Sequence, residues 1–353
     1  MLIGLNLPQY DIDFSGGITC PTSLLALAQA ADAQGIDSVW VSDHPFVIGP
    51  DGKRNDALDA LLMLSAIGIS TRSIRIGTLV LAASMRSPEI LDAAARTLSF
   101  QAPGRMVFGI GGGWYRPSHQ AMGIPLKPYT QRMQKVADVA ETLRRAREAA
   151  QTTDGPELLI GGFGPQALEI AVRSADTWNL AWDAPPQAYR DVSTRLDKMC
   201  ETTGRDPASL RRSTGLTVLV GETKTDRKAA VARLAGRSPS LRDITLESLA
   251  ERAITGSPEE CAERILAYGA DEVIFTLVLR DDPEMLACVA QRLAPLLRDT
   301  PSAATKQDSK IHSMNPKDED KTSRQHTQDL PKHNTPQKAP QKRKTHDGNS
   351  HNT

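Results

Sequence analysis

Leu2-Ile3-Gly4-Leu5-Asn6-Leu7 runs directly into Pro8-Gln9-Tyr10. The first six residues read as a strand, and the three after it decide between two α/β architectures. An open doubly wound sheet that binds a dinucleotide places a G-x-G-x-x-G turn here, so that the backbone can approach a pyrophosphate. Pro8-Gln9-Tyr10 is no such turn. Outward from this point, apolar runs predict further strands at 37–42, 74–81, 105–110, 157–160, 177–181, 216–220 and 272–277. Between them, segments of helical period cover about 22–34, 56–71, 88–100, 129–150, 165–174, 186–203, 224–236 and 258–268, with a last helix at 283–298. Parallel strands require helical crossovers, and closing eight of them leaves no sheet edge. The expected fold is therefore α/β, a (β/α)8 TIM barrel over residues 1–300.

The remaining stretch, 301–353, is a different material. It is rich in Lys, His, Gln, Asn, Thr, Asp and Pro, and its only large apolar residues are Ile311, Met314 and Leu330. Such a segment buries too little surface to offset its ordering entropy, so a disordered polar tail is expected. The chain has 42 basic and 42 acidic residues. The tail holds 10 and 6 of them, leaving 32 and 36, so the tail is mildly basic and the barrel part mildly acidic. Neither part is basic enough to make nucleic acid the expected partner. Cys20, Cys200, Cys261 and Cys288 lie far apart, which disfavours zinc or a redox dithiol and is usual in a reducing compartment. No signal peptide and no apolar run long enough for a membrane span are read, so the expected location is cytoplasmic.

Barrel enzymes work at the C-terminal ends of their strands. Those positions hold Asn6, Asp43 and His44, Ser84 and Met85, Gly111-Gly112-Gly113-Trp114, Gly161-Gly162-Phe163-Gly164, Trp182 and Arg280. Five of the seven histidines lie in the tail, leaving His44 and His119 for the folded part. His44 follows a strand and adjoins Asp43, so it is either a proton carrier or a hydrogen-bonded structural histidine. His119 falls in a polar stretch, where surface or capping duty is the expectation. Each glycine cluster is either a tight turn or a place where the backbone meets a phosphorylated cofactor; the helix starting near Pro165 offers unpaired N–H groups to a phosphate. Trp114, Trp178 and Trp182 either wall a cofactor or pack. No motif for a metalloprotease, serine hydrolase, P-loop or EF-hand is present, and no metal site is expected.

Together these stretches resemble a known family. The segment Leu27–His44, ending Asp37-Ser38-Val39-Trp40-Val41-Ser42-Asp43-His44, is similar to a signature of the luciferase-like flavin and deazaflavin oxidoreductases. So are Ile74-Arg75-Ile76-Gly77-Thr78-Leu79-Val80, Gly104-Arg105 with Phe108-Gly109-Ile110-Gly111-Gly112-Gly113-Trp114, Leu159-Ile160-Gly161-Gly162 with Ala175-Asp176-Thr177-Trp178-Asn179, and Thr255-Gly256-Ser257-Pro258-Glu259-Glu260. The resemblance implies a barrel binding FMN or the deazaflavin coenzyme F420, and the Ser-Asp-His form leans toward F420. It implies His44 as acid/base, Asp43 supporting the ring system, and Leu79-Val80 behind the cofactor at a strand bulge, often a non-prolyl cis peptide. It further implies that Gly161-Gly162-Phe163 receives the cofactor phosphate; Asn6, Trp114 and Trp182, from their places after the strands, are expected to line the pocket of a small-molecule substrate. Sugar-phosphate dehydrogenases of the family carry glutamate where Trp114 stands, and Arg116 and Ser118 also depart from the usual acidic residues. The activity implied is hydride transfer with F420. The alternatives are an FMN-dependent monooxygenase served by a separate reductase, and a flavin-binding protein without turnover. Homodimerisation is left open.

Overall fold

The structure, a computed structural model, describes residues 1–13, 20–49, 51–149, 155–237 and 241–299. The expectation for the tail at 301–353 lies outside the described residues. Eight strands close the barrel, within a ten-stranded sheet that also includes the short strands Leu81–Ala82 and Ile254–Gly256: β1 (Leu2–Asn6), β2 (Ser38–Val41), β3 (Arg75–Thr78), β4 (Met106–Gly111), β5 (Glu157–Gly161), β6 (Thr177–Leu180), β7 (Arg211–Val220) and β8 (Glu272–Leu277). Each pairs in parallel with the next, and β8 pairs with β1, so the sheet closes into the expected barrel.

Trp40 fills the barrel interior and is fully buried among Leu79, Val107, Leu159 and Ile274. The neighbouring strands make room for it. A Cβ on Gly77 would lie 2.5–2.7 Å from the indole ring, and one on Gly4 would lie 2.8 Å from its Nε1. That nitrogen donates to Ser38 Oγ (2.8 Å), and Ser38 Oγ donates to Glu272 (2.6 Å). Glu272 is also fully buried and faces Arg75, which bridges to Glu157; Glu157 in turn binds Arg211. These four charged residues open β8, β3, β5 and β7, so one ion network closes the N-terminal end of the barrel.

The structure departs from the element bounds read off the sequence at several points, and it adds a helix at Leu246–Ala250 and a short strand at Ile254–Gly256 where none was expected. β7 starts five residues early, because Arg211-Arg212-Ser213-Thr214 reads as polar loop. Its hydroxyls are nevertheless buried and paired, Ser213 with Asn179 (2.9 Å) and Thr214 with the Leu180 carbonyl (2.8 Å). The apolar run read as one strand over 74–81 stops at Thr78 and resumes at Leu81–Ala82, broken at Leu79-Val80 where the resemblance implies a bulge, and the peptide there is cis. At the break the Thr78 hydroxyl bonds both the N–H and the C=O of Gly109, replacing the lost ladder. The helix expected from 56 starts at Ala60, where Asp59 accepts from the N–H groups of Leu61 and Leu62. Residues Arg54–Asp56 pair instead with Phe46–Ile48 in an antiparallel hairpin. Arg116–Ala121 is helical, and a π turn at Val289–Leu293 divides the final helix.

Candidate active site

Asn6 ends β1 and is buried. Its Nδ2 donates to Thr276 Oγ1 on β8 (3.2 Å), whereas its Oδ1 has no hydrogen-bond partner. On the adjacent strand end stands His44, whose Nδ1 is likewise buried without a partner. Its ring meets Trp114 and Tyr115 edge-on, with centroids 5.7 and 5.1 Å away. Burial pushes the His44 pKa down; the Asp43 carboxylate opposes this and His119 adds to it. A neutral imidazole with an open ring nitrogen is equipped to take a proton.

Asp43 is held by protein groups. Arg86 grips its two oxygens, and the Ala82 N–H donates to Oδ2 (2.9 Å). These bonds tie the end of β2 to the segment after β3, which carries the cis peptide Leu79–Val80. Leu79 packs into the barrel core. The Val80 side chain lies where a Cβ on Gly111 or Gly161 would otherwise sit, at 2.7 and 3.1 Å.

Close packing against the protein itself accounts for several of the glycines. A Cβ on Gly112 would meet Met133 Cε at 2.5 Å, and one on Gly164 would collide with the Tyr129 hydroxyl. Gly113 and Gly162 have φ of +65° and +128°, which a side chain disfavours. Gly164 caps the helix Pro165–Ser174 without a side-chain hydrogen bond. Tyr129, absent from the sequence expectations, reaches this helix start, where its hydroxyl accepts from the Ala167 N–H; burial pushes its pKa up. Arg132, one turn on, binds the carbonyls of Gly113 and Lys127 and faces no carboxylate within ion-pair distance among the described residues.

The expectation for His119 is corrected. It is 1 % exposed and lies on the Arg116–Ala121 helix, not in a surface loop. Its Nδ1 donates to the Tyr115 carbonyl (3.1 Å), so its Nε2 can accept from Ser84 Oγ (3.0 Å). Pro117 in the first turn and Gly123 just beyond were the sequence signals for this helix.

Trp182 follows a second cis peptide, Ala181–Trp182, and its ring occupies the space above Gly215 on β7. The next residue, Asp183 (φ +56°), accepts from Thr217 N and Oγ1 at 2.6 and 2.7 Å. Phe163 and Trp114 are exposed at the same end of the barrel, whereas Trp178 is buried and stacks on Tyr189. Among the described residues no cluster of His, Cys, Asp and Glu could hold a metal ion, and no helix is long and apolar enough to cross a membrane. Two orphaned polar atoms and a helix start without a side-chain cap fit a flat polar ring carrying a phosphate.

Comparison with known proteins agrees. A family model described as luciferase-like monooxygenase matches residues 13–272. F420-dependent glucose-6-phosphate dehydrogenases are 25 % identical over 321 residues in Nakamurella multipartita (79 % of this chain, 93 % of the relative) and 30 % identical over 322 in Amycolatopsis mediterranei (79 % and 95 %). Among solved structures, an F420-dependent secondary alcohol dehydrogenase in complex with an F420-acetone adduct superposes with a TM-score of 0.68 (18 % identity; 84 % of this chain, 99 % of that one). The EDTA monooxygenase of Chelativorans sp. BNC1 also reaches 0.68 (15 % identity; 87 % and 97 %) and supports the same fold. The chain belongs to the luciferase-like monooxygenase family and is an oxidoreductase.

Proposed function

We propose that the protein transfers hydride between coenzyme F420 and a small organic substrate, with His44 as acid/base. One observation carries this reading: two buried polar atoms without partners, His44 Nδ1 and Asn6 Oδ1, belong to residues at the C-terminal ends of the paired strands β2 and β1. Burying polar atoms without partners is costly, so a bound molecule that supplies the missing bonds is favoured there. The names of the sequence relatives support F420 as that molecule.

When bound, the deazaflavin supplies the hydride donor or acceptor. The chain does the rest. Val80, backed by Gly111 and Gly161, supports the ring from behind, and Leu79 anchors that support in the core. Asp43, neutralised by Arg86, holds this segment and thereby fixes His44 next to it. Gly162, Phe163 and Gly164 present backbone at the helix start to the phosphate, with Tyr129 and Arg132 alongside; Gly112 and Gly113 shape the facing loop. His44 then gives or takes the substrate's proton. Asn6, Trp114 and Trp182 line the substrate's place.

The test is direct. Titrating the purified protein with reduced and oxidised F420, and separately with FMN, should show binding of F420. Tight FMN binding with no F420 binding would replace this reading by the monooxygenase one, with a separate reductase as partner. Two further features belong to the same proposal. The cysteines are unpaired, consistent with the cytoplasm. Leu62 and Ile69 on helix Ala60–Ser70, with Ile90 and Phe100 on helix Pro88–Gln101, expose an apolar face suited to a homodimer.

A further inference from the structure

Residues facing into the barrel on β7 and β8 lead to a carboxylate that no cation meets. Gly215 on β7 pairs in register with Ile274 on β8, and Ile274 packs with Trp40 inside the barrel. Side chains alternate along a strand, so Thr217 and Thr276, two residues further on and again in register, also face inward. They lie one layer nearer the C-terminal rim. Thr276 Oγ1 accepts from Asn6, whose Oδ1 is buried without a partner. Thr217 donates from its N–H and its hydroxyl to the two oxygens of Asp183 (2.6 and 2.7 Å). A polar row thus runs from Asn6 past Thr276 and Thr217 to Asp183, across β1, β8, β7 and the end of β6.

Asp183 differs from other carboxylates at this end. Asp13, Asp43, Asp281 and Asp282 face Arg280, Arg86, Arg237 and Arg233 in turn. Asp183 has no basic side chain within ion-pair distance among the described residues; Arg116 and Arg132, which face no carboxylate there, both follow β4. Each of its oxygens takes one bond from Thr217 and keeps lone pairs for another donor. Partial enclosure without a counter-charge pushes its pKa up. Its backbone is left-handed (φ +56°), which costs a non-glycine residue energy and persists only where its surroundings hold it. A staple between β6 and β7 does not by itself call for the charge. Asparagine tolerates the same backbone and would keep both bonds, its Oδ1 accepting from the Thr217 N–H and its Nδ2 donating to Oγ1.

Beside this carboxylate stands an aromatic face. The Trp182 ring lies 2.2–2.3 Å from where a Cβ on Gly215 would be, and so on the inward side of β7; the residue is 39 % exposed. A carboxylate and an open indole side by side suit an ammonium group, which gains both a charge-assisted hydrogen bond and cation–π attraction. β6 is four strands from β2 in the ring of eight, so Asp183 and His44 stand on opposite sides of the barrel mouth. We propose that Asp183 and Trp182 bind an ammonium group on the substrate, a handle held across the mouth from the carbon that reacts beside His44. The substrate class is accordingly an organic amine, cationic at neutral pH. The placing of the reacting carbon rests on the hydride-transfer reading above, whereas the amine site does not.

The experiment is calorimetry on the full chain, with and without F420, using probes of matched size: 2-phenylethylamine, 2-phenylethanol and phenylacetate. The amine should bind about tenfold tighter than the alcohol, with phenylacetate weakest; this comparison needs no variant. Asp183→Asn should abolish the preference for the amine and leave the alcohol's affinity in place. Trp182→Leu should weaken the amine about tenfold, with circular dichroism confirming that both variants fold. Equal affinity for amine and alcohol, a preference for phenylacetate, or no binding of the amine would overturn the proposal, as would an amine preference that survives Asp183→Asn. F420 titration followed by its own fluorescence keeps the two readings apart. If F420 fails to bind while the amine binds through Asp183, the cofactor assignment falls and the amine site stands. If F420 binds and the amine shows no preference, the reverse holds.

Discussion

Arg86 closes on Asp43 as a fork, with Nη1 2.5 Å from Oδ2 and Nη2 2.8 Å from Oδ1. Asp43 is 8 % exposed, and the guanidinium together with the Ala82 N–H supplies the partners its buried carboxylate needs. The pair also holds the segment after β3 against the residue next to His44. Arg86→Met leaves a buried carboxylate unpaired and should lower stability by about 3–5 kcal/mol in urea unfolding. Adding Asp43→Asn to Arg86→Met should restore part of that loss. A single variant as stable as the parent would show that the fork contributes little.

The pH behaviour of His44 is set by the direction of its shift. Burial holds its folded pKa below the ordinary value of about 6.5. As pH falls below about 6.5 the unfolded chain binds a proton that the folded chain resists, so this residue's contribution to stability is present above that pH and is lost on acidification. The urea midpoint of the parent should therefore drop more between pH 7.5 and 5 than that of His44→Gln. In turnover, the acid limb of kcat/KM should lie below pH 6.5, and His44→Gln should cost about 10²- to 10⁴-fold.

Much of the fold is legible in the residues alone. The eight strands and most helices announce themselves through apolar period, and the site's strand ends come with the barrel. The features that escape do so for physical reasons. Residues 211–214 are polar yet buried, because hydroxyls from neighbouring strands satisfy one another. His119 sits among polar residues in sequence, and only the fold brings Ser84, 35 positions away, to its ring. Arg86 and Tyr129 act on the site from separate segments, a relation that no local pattern encodes. The glycine runs are visible, but Val80, Met133 and Tyr129, the side chains that require them, come from elsewhere in the chain.

Ser84→Ala tests the His119 pairing. It removes the donor to a buried ring nitrogen, which should cost about 1–3 kcal/mol in chemical unfolding. In the His119 imidazole NMR spectrum, the Nε2 resonance should shift on this substitution while Nδ1, held by the Tyr115 carbonyl, stays in place. Unchanged Nε2 and unchanged stability would mean that Ser84 is not its partner.

Gly77→Ala places a methyl group against the Trp40 ring in a barrel interior without room for it. Overpacking of this kind should lower stability by about 1–3 kcal/mol and alter the near-ultraviolet circular dichroism of the tryptophan. The same change at Gly35, where a Cβ meets nothing but φ is +74°, should leave that signal unaltered.

Phe100→Glu tests the exposed helical face. At 87 % exposure the substitution should leave the folded chain intact. Sedimentation velocity should then show a dimer for the parent and a monomer for the variant. A monomeric parent would remove the homodimer from the proposal.

The ion network of Arg75, Glu157, Arg211 and Glu272, with Trp40 above it, closes the N-terminal end of the barrel, so the described site is approached from the C-terminal end. In the proposed function the cofactor ring lies on Val80 at the strand ends and the substrate lies outward of it, beside Trp114. Steady-state kinetics should then show compulsory order, with the cofactor first to enter and last to leave. The charged floor thus governs traffic as well as stability.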